Sequence, residues 1–265
     1  MGELMYPLGG EQIKITRSGN VAIVTMDVPA RKNAFSLKMR HELISSIRQL
    51  MYFDDCRALV LTGAGGVFSS GGDITEMRKR THMEVRERID LVSQLVRLIL
   101  TGPKPVVAAV EGPAFGAGWS LTLASDYAVA ATDAKFCAAF IRVGLVPDTG
   151  LFWSLIQRIG RTKAKQYMTL ATEITGSQAL AQGLVDEAVE PGAALARAIE
   201  VGEQYARMPP LTVGLIKEAV MNRTDSLADA IKAEIDFQAV AMGTSDHQEA
   251  IQAFREKRKP VFKGE

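Results

Sequence analysis

The chain has little with which to hold a metal or a disulfide framework. Two cysteines, Cys56 and Cys137, and three histidines, His41, His82 and His247, are scattered through 265 residues without the short spacings of zinc sites. So few thiols suit a reducing compartment and exclude a small secreted scaffold stapled by disulfides. An excess of one charge is missing too: 31 basic residues face 30 acidic ones, so overall charge does not gather nucleic acid or an anionic membrane. No apolar run reaches the length of a membrane span. The opening MGELMYPLGG lacks the basic flank and apolar stretch of a secretory leader, and Tyr6 breaks the myristoylation pattern. The closing Lys263-Gly264-Glu265 is no peroxisomal address. The expectation is a cytoplasmic protein without a metal, nucleic-acid or membrane partner.

What is present is an alternation of strands and helices. Ile13 to Arg17 and Val21 to Met26 read as strands around the turn Ser18-Gly19-Asn20. A helix begins near Ser36, its apolar face formed by Leu43, Ile44, Ile47, Leu50 and Met51. Ala58 to Thr62 is a buried strand, Ile89 to Leu100 a helix, and Pro103 and Pro105 lead into a strand at Val106 to Val110. This repeat points to an α/β core. Beyond Gly160 helices dominate, at Thr162–Leu170, Ser177–Gln182, Ala194–Met208, Leu211–Asn222 and Ser226–Met242. Residues 1–200 are expected to form the core and 201–265 a helical subdomain used in assembly.

The chemistry concentrates in two glycine turns and one acid. Gly116-Ala117-Gly118 sits where a short helix is about to begin, so small residues leave main-chain N–H groups uncovered toward a ligand. Phe68-Ser69-Ser70-Gly71-Gly72-Asp73-Ile74 forms a second such turn, and two N–H donors from separate loops are what an oxyanion hole requires. Downstream, Asp148 is the one conspicuous acid between the apolar segments that follow. Burial against Phe140, Val143, Leu145, Val146, Phe152 and Trp153 would raise its proton affinity, whereas capping the helical segment Leu151 to Ile159 would lower it. Thr149 could supply the cap instead.

These motifs, with Lys32-Asn33-Ala34-Phe35-Ser36, GPAFGAGWSL at 112–121, GLVPDTG at 144–150 and the tail EKRKPVFKGE from Glu256, resemble the crotonase (enoyl-CoA hydratase/isomerase) superfamily over nearly the whole chain. The resemblance implies an α/β spiral of repeated strand-strand-helix units with a C-terminal helical trimerisation subdomain, assembled as trimers often paired into hexamers. It implies an acyl-CoA thioester substrate, with coenzyme A part of the substrate and no separate cofactor. By the same resemblance the oxyanion donors are the N–H groups of Ser70 and Ala117. The coenzyme A contacts are Lys32 and Ala34 near the nucleotide, Ser70, Gly72, Asp73 and Ile74 along the pantetheine arm, and Lys257 from a neighbouring subunit.

Hydratases of the superfamily carry two glutamates, and Ser120 and Phe140 stand at those positions here. Neither can deprotonate a water while a proton is delivered to carbon. Asp148 matches the aspartate that serves as acid/base in isomerases of the superfamily, and the turn and tail look most like the branch with the ring-epoxide isomerase of phenylacetate breakdown. Leu151, where relatives have a second glycine, is expected to narrow or reshape the pocket. The expected reaction is isomerisation of an acyl-CoA through an enolate, shifting a double bond from the 3- to the 2-position or reorganising an unsaturated ring, with a non-catalytic acyl-CoA-binding protein or an atypical enoyl-CoA hydratase as the alternatives. A serine hydrolase built on Ser120 lacks a nucleophile elbow, and a dinucleotide loop lacks its third glycine.

Overall fold

The computed structural model describes residues 8–265, so the reading of Tyr6 and most of the N-terminal segment lies outside the described residues. A hairpin opens the fold: β1 (Ile13–Ser18) pairs antiparallel with β2 (Val21–Met26). To β2 are added, all in parallel, β3 (Ala58–Gly63), β4 (Val106–Val110), β6 (Tyr127–Ala131) and β9 (Glu187–Val189). The sheet therefore runs β1-β2-β3-β4-β6-β9. A second sheet of three short strands, β5 (Ala114–Phe115), β7 (Lys135–Cys137) and β8 (Ile174–Thr175), lies in the order β5-β7-β8.

The two sheets are linked by a repeat. β2 runs on to Phe35 and then α1 (Leu37–Tyr52); β3 runs on to Ser69–Gly72 and then α2 (His82–Thr101). β4 leads to β5 and α3 (Ala117–Ala124), and β6 leads to β7 and α4 (Leu151–Leu170). In the second layer Phe35 bridges Gly72, Ser69 bridges Ala114, and Ala114 pairs with Phe136. Each turn of chain thus adds a strand to the large sheet, an extended piece to the second layer and a helix, which makes the spiral of strand-strand-helix units expected from the motifs.

Both faces of the large sheet are buried, which explains the unbroken apolar runs ALVL and VVAAV. Because side chains alternate along a strand, Ala22, Val24, Leu59, Leu61, Val106 and Ala108 point into the main core with α1 to α4. Val21, Ile23, Val60, Val107 and Val129 point the other way and are covered by Ala194, Ala198 and Val201 of α6 (Ala194–Ala206). The division expected after residue 200 falls inside this helix, which is continuous and packed on the sheet.

The helices that stand apart begin later. α5 (Gly176–Ala181) is short, and after α6 come α7 (Pro210–Asn222), α8 (Leu227–Met242) and α9 (Ser245–Glu256). Within α7 only Lys217 is buried, and within α8 only Ala233. Lys217 ties α7 to the core: its ammonium donates to the carbonyls of Ile99 and Lys104, each at 2.9 Å, and to the Asp126 carboxylate. Burial pushes Asp126 up and Lys217 down, against their mutual attraction. Ile216, Val220, Ile231 and Ile235 remain exposed, and an apolar groove of about 680 Å³ lies between α7 and α8. No described helix is long and apolar enough to cross a membrane, and no cluster of metal-ligating side chains occurs among the described residues.

Several elements differ from expectation. α2 starts at His82, seven residues before the apolar periodicity, because Thr81 and Glu84 form a capping box that sets its start. α4 runs through Leu151–Leu170 with a kink at Gly160, whose φ of 74° breaks the helical path. β6 to β9 and α9 carry too little pattern to be read from sequence.

Candidate active site

The second layer of the spiral brings the two glycine turns together. Gly116 adopts φ 51° and ψ −118°, open to glycine, and starts α3 with no side-chain cap, so the first N–H groups of that helix are left without intrahelical partners. Ala117 is the first of them, and no acceptor takes its N–H among the described residues. A side chain on Gly71 would come within 2.8 Å of the Phe115 carbonyl oxygen and 3.5 Å of Gly116 Cα; one on Gly118 would come within 2.9 Å of the Ser69 carbonyl oxygen. The two turns pack backbone on backbone, and only glycine permits it.

The first turn is fixed by the loop before α1. Lys32 and Asn33 both sit at φ 51°, a left-handed pair held by the buried Asn33 side chain. That amide accepts from Val28 N–H at 2.9 Å and donates to the carbonyls of Ala64 and Val67. The Asn33 carbonyl accepts from the Ser69 hydroxyl, which in turn accepts from Gly71 N–H. In this arrangement Ser70 N–H donates to the Lys32 carbonyl at 2.9 Å. The two expected donors therefore differ: Ala117 N–H is open, while Ser70 N–H already has an acceptor that an incoming oxygen would share or replace.

Asp148 lies beside the start of α3. The Ser120 hydroxyl lies 3.2 Å from the carbonyl oxygens of both Gly116 and Asp148, so Ser120 holds main chain rather than acting as a nucleophile. Thr149 and Gly150 follow at φ 54° and 76°, and this tight left-handed turn closes with Leu151 N–H donating to the Asp148 carbonyl. A β-branched residue rarely adopts such a conformation. Neither Asp148 nor Thr149 caps α4: the cap position is Gly150, without a side-chain bond. The Thr149 hydroxyl instead donates to Asp148 Oδ1 at 2.7 Å. Burial pushes the Asp148 carboxyl above the usual carboxylate range, against the Thr149 bond and the Arg40 charge.

Of the apolar wall expected around Asp148, one member is buried. Phe140 is buried and packs toward Gly116, but Val143, Leu145, Val146, Phe152 and Trp153 are exposed in the single chain. Leu151, expected to narrow the pocket, belongs to the main core.

Residues 16–265 match the family model described as "Enoyl-CoA hydratase/isomerase". The chain belongs to this family. It is 33% identical over 252 residues to the 1,2-epoxyphenylacetyl-CoA isomerase of Escherichia coli (strain K12), covering 92% of this chain and 95% of that one. A probable enoyl-CoA hydratase of Rhodobacter capsulatus is 35% identical over 259 residues, covering 95% and 98%. The crystal structure of a putative enoyl-CoA hydratase from Streptomyces coelicolor A3(2) superposes with a TM-score of 0.93 at 30% identity, covering 100% and 98%. Similar proteins thus carry hydratase and isomerase names alike.

In this hydratase/isomerase family member the expected coenzyme A contacts fall into two groups. Ser70, Gly72, Asp73, Lys32 and Ala34 share the laced loops, because Phe35 bridges Gly72 and Lys32 receives Ser70 N–H. Asp73 is occupied structurally: Oδ1 accepts from Thr75 N–H at 3.0 Å and from the Thr75 hydroxyl, and Oδ2 pairs with Arg31. Although burial pushes the Asp73 carboxyl up, these bonds hold it below the usual range. Ile74 is exposed, and so is Lys257, at the left-handed end of α9, with no bond to any of the others.

Sequence reasoning missed Arg40. It sits on the apolar stripe of α1, in step with Leu43, Ile44 and Ile47, and a lone charge on such a stripe is a readable signal. It is buried, its Nε donates to the Phe35 carbonyl at 3.2 Å, and its guanidinium lies 5.6 Å from the Phe35 ring centre.

Proposed function

We propose that this chain is an enoyl-CoA isomerase that moves a double bond, or reorganises an unsaturated ring, beside a coenzyme A thioester. The observation that carries this reading is Asp148, a half-buried carboxyl of raised proton affinity that caps no helix and whose backbone is held against the start of α3. In the reaction, the Asp148 carboxylate takes a proton from C2 of a 3-enoyl thioester. The C2–H electron pair forms a C1–C2 double bond as the carbonyl opens, giving a dienolate with charge on the thioester oxygen and the C3–C4 double bond still in place. Ala117 N–H, with the α3 dipole behind it, and Ser70 N–H, released from the Lys32 carbonyl, hold that oxygen. The same carboxyl, its proton exchanging with solvent between the two steps, then protonates C4 with the C3–C4 pair while the C1–C2 pair moves to C2–C3 and the carbonyl re-forms, giving the 2-enoyl thioester.

Hydration is the competing reading, favoured by hydratase names among similar proteins. It needs a second acid/base, and Ser120 is committed to main-chain carbonyls while Phe140 carries no proton. Each missing general acid or base is worth about 10²–10⁴ in rate. Coenzyme A enters as part of the substrate, with Lys32, Ala34, Ser70, Gly72, Asp73 and Ile74 along it and Lys257 reaching it from a neighbouring copy in a trimer or hexamer. The test is to incubate the protein with 3-hexenoyl-CoA in heavy water. Deuterium at C2 and C4 with 2-hexenoyl-CoA as product is expected. Binding with neither exchange nor 2-hexenoyl-CoA would make this an acyl-CoA-binding protein, and 3-hydroxyacyl-CoA formed at ordinary hydratase turnover would make it a hydratase.

A further inference from the structure

Arg40 is the charge that the proposed reaction leaves unused. A guanidinium has five N–H donors, and burying it is costly unless they are satisfied. Here Nε alone is bonded; among the described residues neither terminal nitrogen meets an acceptor. The nearby acids are engaged elsewhere. Glu76 accepts from Leu37 N–H and pairs with Arg88 at 3.1 Å, and Asp148 accepts from Thr149. Arg40 and Asp148 make no ion pair, yet each charge acts on the other, and Arg40 also feels Arg80, Arg88 and Glu76. Arg40 is the most buried of these three guanidinium groups, and its Nε bond to the Phe35 carbonyl sets it beside the Gly71–Gly72 turn, to which Phe35 is bridged. Bonding the Phe35 carbonyl and lying beside its ring explains where Arg40 sits, but leaves four donors without a partner among the described residues.

We infer that Arg40 is a specificity-determining residue whose terminal nitrogens receive an oxygen carried by the acyl group beyond its reacting carbons, with a carboxylate held most tightly. The inference rests on the acyl-CoA site proposed above and narrows its substrate to oxygen-bearing acyl thioesters. A planar fork suits such an acceptor, and a charge-assisted bond discriminates against a methyl group that leaves the donors unpaired.

The test uses saturated thioesters, which cannot react, so it reads binding without the isomerase chemistry. Dissociation constants of hexanoyl-CoA, adipoyl-CoA and the adipoyl-CoA ω-methyl ester are measured calorimetrically on the wild-type chain and on Arg40→Met and Arg40→Lys. The wild type is expected to hold adipoyl-CoA about 10- to 100-fold more tightly than hexanoyl-CoA, with the ester between them. Arg40→Met should erase the difference by weakening adipoyl-CoA alone, and Arg40→Lys should keep part of the carboxylate preference but lose that for the ester. Equal wild-type affinity for hexanoyl-CoA and adipoyl-CoA would overturn the inference whether or not a variant folds, and leave the acyl-CoA reading intact. An equal loss for all three ligands in Arg40→Met would reduce Arg40 to a structural role. Binding of none would overturn both.

Discussion

The contact between the two glycine turns makes a quantitative test of the site. Gly71 sits at φ +91°, and a Cβ there would stand 2.8 Å from the Phe115 carbonyl oxygen and 3.5 Å from Gly116 Cα. Placing alanine at positive φ costs about 1–2 kcal/mol. The overlap is roughly 0.6 Å short of van der Waals contact, against main chain that cannot swing aside, so the turns must separate. Strain and overlap together put Gly71→Ala at about 2–3 kcal/mol of destabilisation. A misplacement approaching 1 Å in a catalytic array costs about 10²-fold, so isomerisation should fall by about 10- to 100-fold. Gly19→Ala is the matched control: φ is +54° and nothing lies within 4 Å of its added Cβ, so it should lose about 1 kcal/mol and no activity. Urea unfolding and turnover on 3-hexenoyl-CoA, measured on both variants, decide the matter. Gly71→Ala with wild-type turnover would refute the reasoning that links the two turns.

Lys217→Met removes one partner of a buried pair and strands Asp126, so unfolding in urea should show a loss of about 3–5 kcal/mol, with Asp126→Asn added to it recovering part. The Asp148 carboxyl is raised on folding, so its contribution to stability is present at low pH and is lost as pH rises through its folded value. Asp148→Asn should therefore raise the thermal midpoint at pH 7, with the difference closing below about pH 3.9; an unchanged or lower midpoint at pH 7 would contradict the burial. The exposed apolar residues of α7 and α8 should be covered by other copies of the chain, giving trimers or hexamers in light scattering. Lys257→Ala should weaken coenzyme A binding by roughly fivefold without changing that size; a stable monomer, or unchanged binding, would argue against the shared site.

Much of this was legible because glycine and helix-start chemistry are local. FSSGGDI and GAG mark turns by composition alone, Ser36 caps α1 as its position suggests, and the alternation of β3 and β4 follows from their apolar runs. What escaped depends on contacts between distant segments. Two consecutive left-handed residues, Lys32 and Asn33, oppose intrinsic preference and exist because the Asn33 amide is bonded to β2's end and the loop after β3, and only that loop shows Ser70 N–H already engaged. Asp148 is half-buried with its carbonyl held by Ser120 of α3, although Val143, Leu145, Val146, Phe152 and Trp153 near it in sequence are exposed. Arg40 was visible as a charge on an apolar stripe, but its open donors were not.

The central claim is that Asp148 moves the proton while the main-chain donors only hold the oxygen, and Asp148→Asn isolates it, since asparagine keeps the shape and the Thr149 bond but cannot act as the base. Turnover of 3-hexenoyl-CoA and calorimetric binding of hexanoyl-CoA, measured on this one variant, are the direct test. Turnover should fall by about 10² or more with affinity within a few-fold of wild type. Turnover retained at the wild-type level would contradict it.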